Sequence, residues 1–134
     1  MKFHDFTRRV VIDTNVIVSA LISTNGAAAR FLGDVFDEKY EVILTETMFL
    51  EYRGVLSRKK FSIDPDIQDF ILGWFLEHAV LVEVDESDYP KGDMPDPKDA
   101  PFYVAARCTG ALLVTKNIKH YPVTEWRTMI WELV

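Results

Sequence analysis

The chain has 134 residues, 49% hydrophobic and 27% charged, with a formal net charge of −6 and one cysteine. That length and balance predict a single globular domain over 1–134 and exclude a disordered chain, and a lone cysteine excludes an internal disulfide framework. No apolar run approaches the roughly 18 residues of a membrane span, and "MKFHDFTRR" lacks a signal peptide's apolar core, so a cytoplasmic protein off the membrane is expected.

"RVVID" (9–13) is the first of several short aliphatic runs, too short for a helix and too continuously apolar for a strand with one wet face. "AAARFLGDVFDE" (27–38) then repeats apolar residues at Phe31, Leu32, Val35 and Phe36, a helical spacing. "EVILT" (41–45) is a second strand, followed by "ETMFLEYRGVLSRKK" (46–60), where Met48, Tyr52, Val55 and Leu56 share a helix face. In "DPDIQDFILGWFLEH" (64–78), Asp64 suits the N-cap and Pro65 the first helical position, and Ile67, Phe70, Ile71, Trp74 and Phe75 follow helical spacing. "VLVEV" (80–84) predicts a third strand. The loop "DESDYPKGDMPDPKDAP" (85–101) has the length and proline content of a functional loop within one domain. "FYVAARCTG" (102–110) predicts a helix closed by Gly110, "ALLVT" (111–115) a fourth strand and "RTMIWELV" (127–134) a fifth. Strands alternating with helices predict an α/β fold: three layers, α/β/α, around a five-stranded, mostly parallel sheet.

In such sheets the functional crevice lies beyond the carboxyl ends of the strands. Asp13 closes the first strand and is followed by Thr14 and Asn15. Thr115 closes the fourth, with Asn117 two residues on. Asp96 and Asp99 stand where the long loop enters a helix, and Glu51 flanks the apolar face of its own helix. Each has an ordinary structural reading: Asp13, Asp96 and Asp99 as helix caps, Glu51 as a solvated helix residue, Asn117 as a turn former. Together they suggest carboxylates gathered at one sheet mouth, which would repel one another without a cation. Oxygen donors with no His or Cys pattern favour Mg²⁺ or Mn²⁺ over zinc, and such ions serve phosphoryl transfer or phosphodiester hydrolysis. Bound metal would also reconcile an acidic chain with a nucleic-acid substrate, which otherwise draws its binding from Lys and Arg.

Three blocks, "VVIDTNVIVSAL", "ILTETMFLEYRGVLSRKKF" and "DPKDAPFYVAARCTGALLVTKNIKHYP", resemble in order and spacing those of PIN-domain ribonucleases. The toxin components of bacterial and archaeal toxin–antitoxin pairs are the nearest match. The resemblance implies Asp13, Glu51 and Asp99 as metal-binding catalytic acids, with Asp96 as an extra carboxylate and Asn15 and Thr115 as supports. It implies Mg²⁺ or Mn²⁺ as cofactor, single-stranded RNA as substrate, 5′-phosphate and 3′-hydroxyl products, and an antitoxin protein as partner. The chain departs from the pattern at "TKN", where Asn117 replaces the usual fourth acid. That amide can hold a metal or orient water but is no base, so a weakened second metal site is expected. The rival reading is a PIN-like module kept for binding RNA or protein. A receiver-type phosphoacceptor fits less well, since the acids it needs after the first and third strands are missing.

Four residues after the fourth strand, Lys116, Lys119, His120 and Tyr121, are candidate RNA contacts, with base stacking on Tyr121 or His120. "SRKK" (57–60) reads as cations at a helix C-terminus or as a phosphate patch. Cys108 reads as a small packing residue. Trp74 and Phe75 read as core, or as part of a homodimer or antitoxin surface.

Overall fold

The computed structural model describes residues 8–90, 94, 96–122, 127–129 and 133. Strand β1 (Arg8–Ile12) leads into helices α1 (Thr14–Ile22) and α2 (Ala27–Phe36). Strand β2 (Tyr40–Leu44) leads into α3 (Glu46–Leu56) and α4 (Pro65–His78). Then come β3 (Val80–Leu81), α5 (Ala100–Thr109), β4 (Leu112–Thr115) and β5 (Arg127–Met129). The sheet has five strands in the order β3-β2-β1-β4-β5, and every described pairing is parallel. This is the α/β class expected from the alternating pattern, with helices layered on the sheet.

The continuous apolar runs are explained by position. Val10, Val11 and Ile12 lie in the central strand between β2 and β4, paired with Val42 and with Leu112 to Val114, and are wholly buried. Local signals set the helix ends. Asp64 accepts a hydrogen bond from the Asp66 amide, with Pro65 opening α4, and Thr45 caps α3 through the Met48 amide at 3.1 Å. Gly110 ends α5 at φ 71°, a left-handed position that suits glycine.

Several expectations are corrected. "VLVEV" pairs only at Val80 and Leu81, both exposed, because β3 is the sheet edge; one further bond, Val82 N–H to Leu44 O, precedes the loop. Helix α2 stops at Phe36, and Glu38 turns the chain with φ 60°. Helix α4 buries Ile71, Leu72 and Phe75 against the core but leaves Ile67 and Phe70 exposed, Phe70 meeting only the edge of the Phe36 ring of α2 on that side, because spacing alone cannot say how much of a face is covered. "SRKK" lies beyond the last turn of α3, partly in a 3₁₀ turn (Lys59–Phe61). Cys108 is exposed rather than packed, being on the outer side of the last turn of α5. Of "RTMIWELV", residues 130–132 and 134 lie outside the described residues.

Candidate active site

The strand order reverses at β1: the chain moves out to β2 and β3, then returns to place β4 on the other side. The carboxyl ends of β1 and β4 therefore border a switch point, where open α/β sheets form their clefts. Asp13 stands there, its amide bonded to Val114 O at 2.9 Å. It occupies the N-cap position of α1, yet its carboxylate makes no capping bond to the helix. Instead Asp13 Oδ2 accepts from Thr115 Oγ1 at 2.8 Å, Tyr121 Oη at 2.9 Å and Asn15 Nδ2 at 3.4 Å. The side chain is 5% exposed. Burial raises its pKa, and the hydrogen bonds from Thr115 and Tyr121 work in the opposite direction.

Glu51 is half-buried on α3, and its Oε2 accepts from Thr14 Oγ1 at 2.6 Å. The next residue, Tyr52, is fully buried and donates its hydroxyl to the Ile12 carbonyl, which ties α3 to the strand residue preceding Asp13. Burial raises the Tyr52 pKa, with Asp13 and Glu51 adding to it.

Asp96 and Asp99 divide the roles that the sequence left open. Asp96 is the capping acid, accepting from the Lys98 amide at 3.0 Å at the head of a 3₁₀ turn (Pro97–Asp99). Asp99 precedes α5 without a capping bond, and its Oδ2 is buried with no hydrogen-bond donor. The imidazole of His120 lies beside it, with Nδ1 3.4 Å from that oxygen. Desolvation first, then the charges of Asp13, Asp96 and Glu51, push the Asp99 pKa to about 6, and His120 opposes them. These acids therefore face one electrostatic neighbourhood. Among the described residues, no three His, Cys, Asp or Glu side chains form a ready-made metal-ligand set. The donors nonetheless fit a hard divalent ion: they are oxygens, they carry excess negative charge, and one buried carboxylate oxygen has no donor.

Around this group, Asn117 is exposed, receives no capping role, and places Nδ2 2.8 Å from His120 Nε2. Lys116 donates to Ser19 Oγ at 2.9 Å, and its amide bonds Asn15 Oδ1 at 3.3 Å. Lys119 is exposed. Tyr121 corrects an expectation: it is 2% exposed and hydrogen-bonded to Asp13, so no base can stack on it. It is a support of the acid site. Thr14 and Tyr52 were missed as supports, although Thr14 adjoins Asp13 and Tyr52 adjoins Glu51 in the chain.

The PIN domain family model matches residues 9–119. The chain belongs to the PIN-domain family. Two solved structures share the PIN fold. A chain from the structure of FitAB bound to an IR36 DNA fragment is 19% identical with a TM-score of 0.64, over 91% of this chain and 95% of that one. A chain from VapBC2 of Rickettsia felis, bound to a DNA fragment from their promoter, is 17% identical with a TM-score of 0.54, over 83% and 89%. At these identities the likeness is one of fold. No curated protein matches the chain.

Proposed function

We propose that this PIN domain is a Mg²⁺- or Mn²⁺-dependent endoribonuclease that hydrolyses single-stranded RNA. The observation that carries the reading is Asp99 Oδ2, a buried carboxylate oxygen that makes no hydrogen bond and has only the His120 imidazole at 3.4 Å beside it, in the field of Asp13, Glu51 and Asp96. Such an oxygen costs free energy unless a cation takes it up. Asp13, Glu51 and Asp99 would hold the ion, with Asp96 beside them. A divalent ion there supplies Lewis acidity, making water easier to deprotonate and offsetting charge on the phosphate.

The protein's own groups have distinct tasks. Thr115 and Tyr121 fix Asp13, and Thr14 fixes Glu51, so two acids stay oriented while substrate enters. Asn117 and His120 border the acids and can hold a water or a phosphate oxygen by hydrogen bonding. Water oxygen attacks phosphorus, the bond from phosphorus to the 3′ oxygen breaks, and that oxygen takes a proton. The products carry 5′-phosphate and 3′-hydroxyl ends. The likeness to chains of FitAB and VapBC2, each bound to a DNA fragment, supports the further reading of this chain as a toxin masked by an antitoxin protein. The apolar exposed face of α4 suits such a partner or a homodimer.

Asn117 favours a second reading, a binding module with weakened catalysis, since an amide brings no charge to the fourth position. One experiment separates them: calorimetric Mn²⁺ titration of the parent, Asp13→Ala and Asn117→Asp, with cleavage of a mixed-sequence RNA measured in parallel. Metal binding and cleavage by the parent, both lost in Asp13→Ala, support the nuclease. A folded parent that neither binds Mn²⁺ nor cuts, with both gained in Asn117→Asp, supports the binding module.

A further inference from the structure

Beside the acids the surface opens into a groove of about 540 Å³ that shares Thr14, Asn15 and Asn117 with them. Its apolar lining is Val18 and Ile22 of α1, Val55 of α3, and Phe61 from the 3₁₀ turn. Ile22 is 57% exposed, so its side chain is open to an occupant of the groove. Hydroxyls of Ser19 and Ser23 and the amide of Asn15 stand among these apolar groups. The groove is also cationic in a chain of net charge −6. Lys116 lines it, and the Lys60 ammonium lies 5.1 Å from the centre of the Phe61 ring.

We infer that this groove is the subsite for the unpaired nucleotide next to the scissile phosphate, with its base against Ile22 and Phe61 and its backbone phosphate on Lys116. The assignment deepens the nuclease reading and rests on it for the identity of the strand. Apolar and aromatic shelves flanked by cations take up the two halves of a nucleotide, base and phosphate, which neither a purely acidic site nor a purely apolar groove can do. Charge decides the occupant: a cation on the groove wall and a second over its aromatic ring suit a polyanion, whereas the acidic mouth beside them needs metal before phosphate approaches. The hydroxyls and the Asn15 amide can hydrogen-bond the Watson–Crick edges of a base, which are free only where the base is unpaired. Selection for unpaired RNA and preference for the flanking base would both originate here.

The test measures binding apart from cleavage. A short mixed-sequence single-stranded RNA with a 5′ fluorophore is titrated by anisotropy with Ca²⁺ in place of Mn²⁺, so that the acids are neutralised while cleavage is suppressed. Parent, Ile22→Ser, Phe61→Leu, Lys116→Ala and, as a control outside the groove, Lys39→Ala are compared. Ile22→Ser alters an exposed side chain and Phe61→Leu keeps apolar volume, so both preserve the fold. Each should weaken binding about tenfold. Lys116→Ala should lower the salt slope of log Kd by about 0.7, the value for one phosphate contact on a single strand. Lys39→Ala, which removes an ion-pair partner of Asp34, should change neither. Photocrosslinks from 4-thiouridine in the same RNA should fall on the peptides that hold Ile22 or Phe61.

A parent that cuts RNA while the groove variants bind as tightly as it does overturns the subsite and leaves the nuclease reading intact. A parent that binds through the groove but never cuts with Mn²⁺ overturns the nuclease reading and leaves the groove as an RNA site. Groove variants that weaken only a partner protein's binding make the groove a protein-docking surface and overturn the proposal.

Discussion

Replacing Asp99 by asparagine should make the metal-free protein more stable, and only above the pH at which the acid ionises. Asp99 is 16% exposed, and desolvation with the charges of Asp13, Asp96 and Glu51 raises its pKa from 3.8 to about 6. The folded state therefore binds the proton more tightly than the unfolded chain. Below about pH 3.8 the protonated acid favours the fold; as pH rises through about 6 that advantage is lost and the carboxylate destabilises it. A shift of that size corresponds to about 3 kcal/mol at most, and solvent screening at the open side of the site reduces the expected effect to about 1–2 kcal/mol. Urea unfolding in chelator at about pH 4 and pH 7.5 reads it directly. Asp99→Asn should exceed the parent by about 1–2 kcal/mol at the higher pH, and the gap should narrow on acidification. Adding Mn²⁺ at about a hundred times its Kd should then stabilise the parent alone by about 2.7 kcal/mol and reverse the order. A metal-free parent that is the more stable protein at pH 7.5 would refute the reasoning, because Asp99 would then have a structural partner worth more than its repulsion.

Further outcomes follow from the hydrogen bonds around the site. Tyr121→Phe removes a donor from the buried Asp13 carboxylate; it should cost about 1.5–3 kcal/mol in urea unfolding and lower Mn²⁺ affinity by calorimetry. Tyr52→Phe leaves the Ile12 carbonyl without its buried partner and should cost about 1–3 kcal/mol, with Mn²⁺ affinity less affected than in Tyr121→Phe. Thr45→Ala removes the cap of α3 and should cost about 1 kcal/mol while RNA cleavage per folded molecule stays the same. Asn117→Asp should tighten Mn²⁺ binding several-fold, read by the same calorimetry; unchanged affinity would place that side chain outside the metal's reach.

Much of the fold was legible in the chain because its signals are local. The buried runs around Val11, Ile43 and Leu113, the Asp64-Pro65 start and the Gly110 stop act within a few residues, so their effects could be read in order. Strand-end position and the resemblance to PIN domains also pointed to Asp13, Glu51, Asp96 and Asp99, which the fold brings within one another's electrostatic reach. What the sequence could not decide was which partner each polar group would find. Asp13 stands at a cap position and does not cap, because Thr115 and Tyr121, 102 and 108 residues away, reach its carboxylate when β4 pairs with β1. Asp96 and Asp99 were both cap candidates by position, though the resemblance singled out Asp99, and only the turn between them made one a cap and left a buried oxygen of the other without a hydrogen bond. Ile67 and Phe70 followed the helical period yet face outward, since period says which residues share a face and not what covers it. Local propensity depends on neighbours in the chain, whereas burial and hydrogen-bond partnership depend on neighbours in space, and those exist only once the sheet has closed around Asp13.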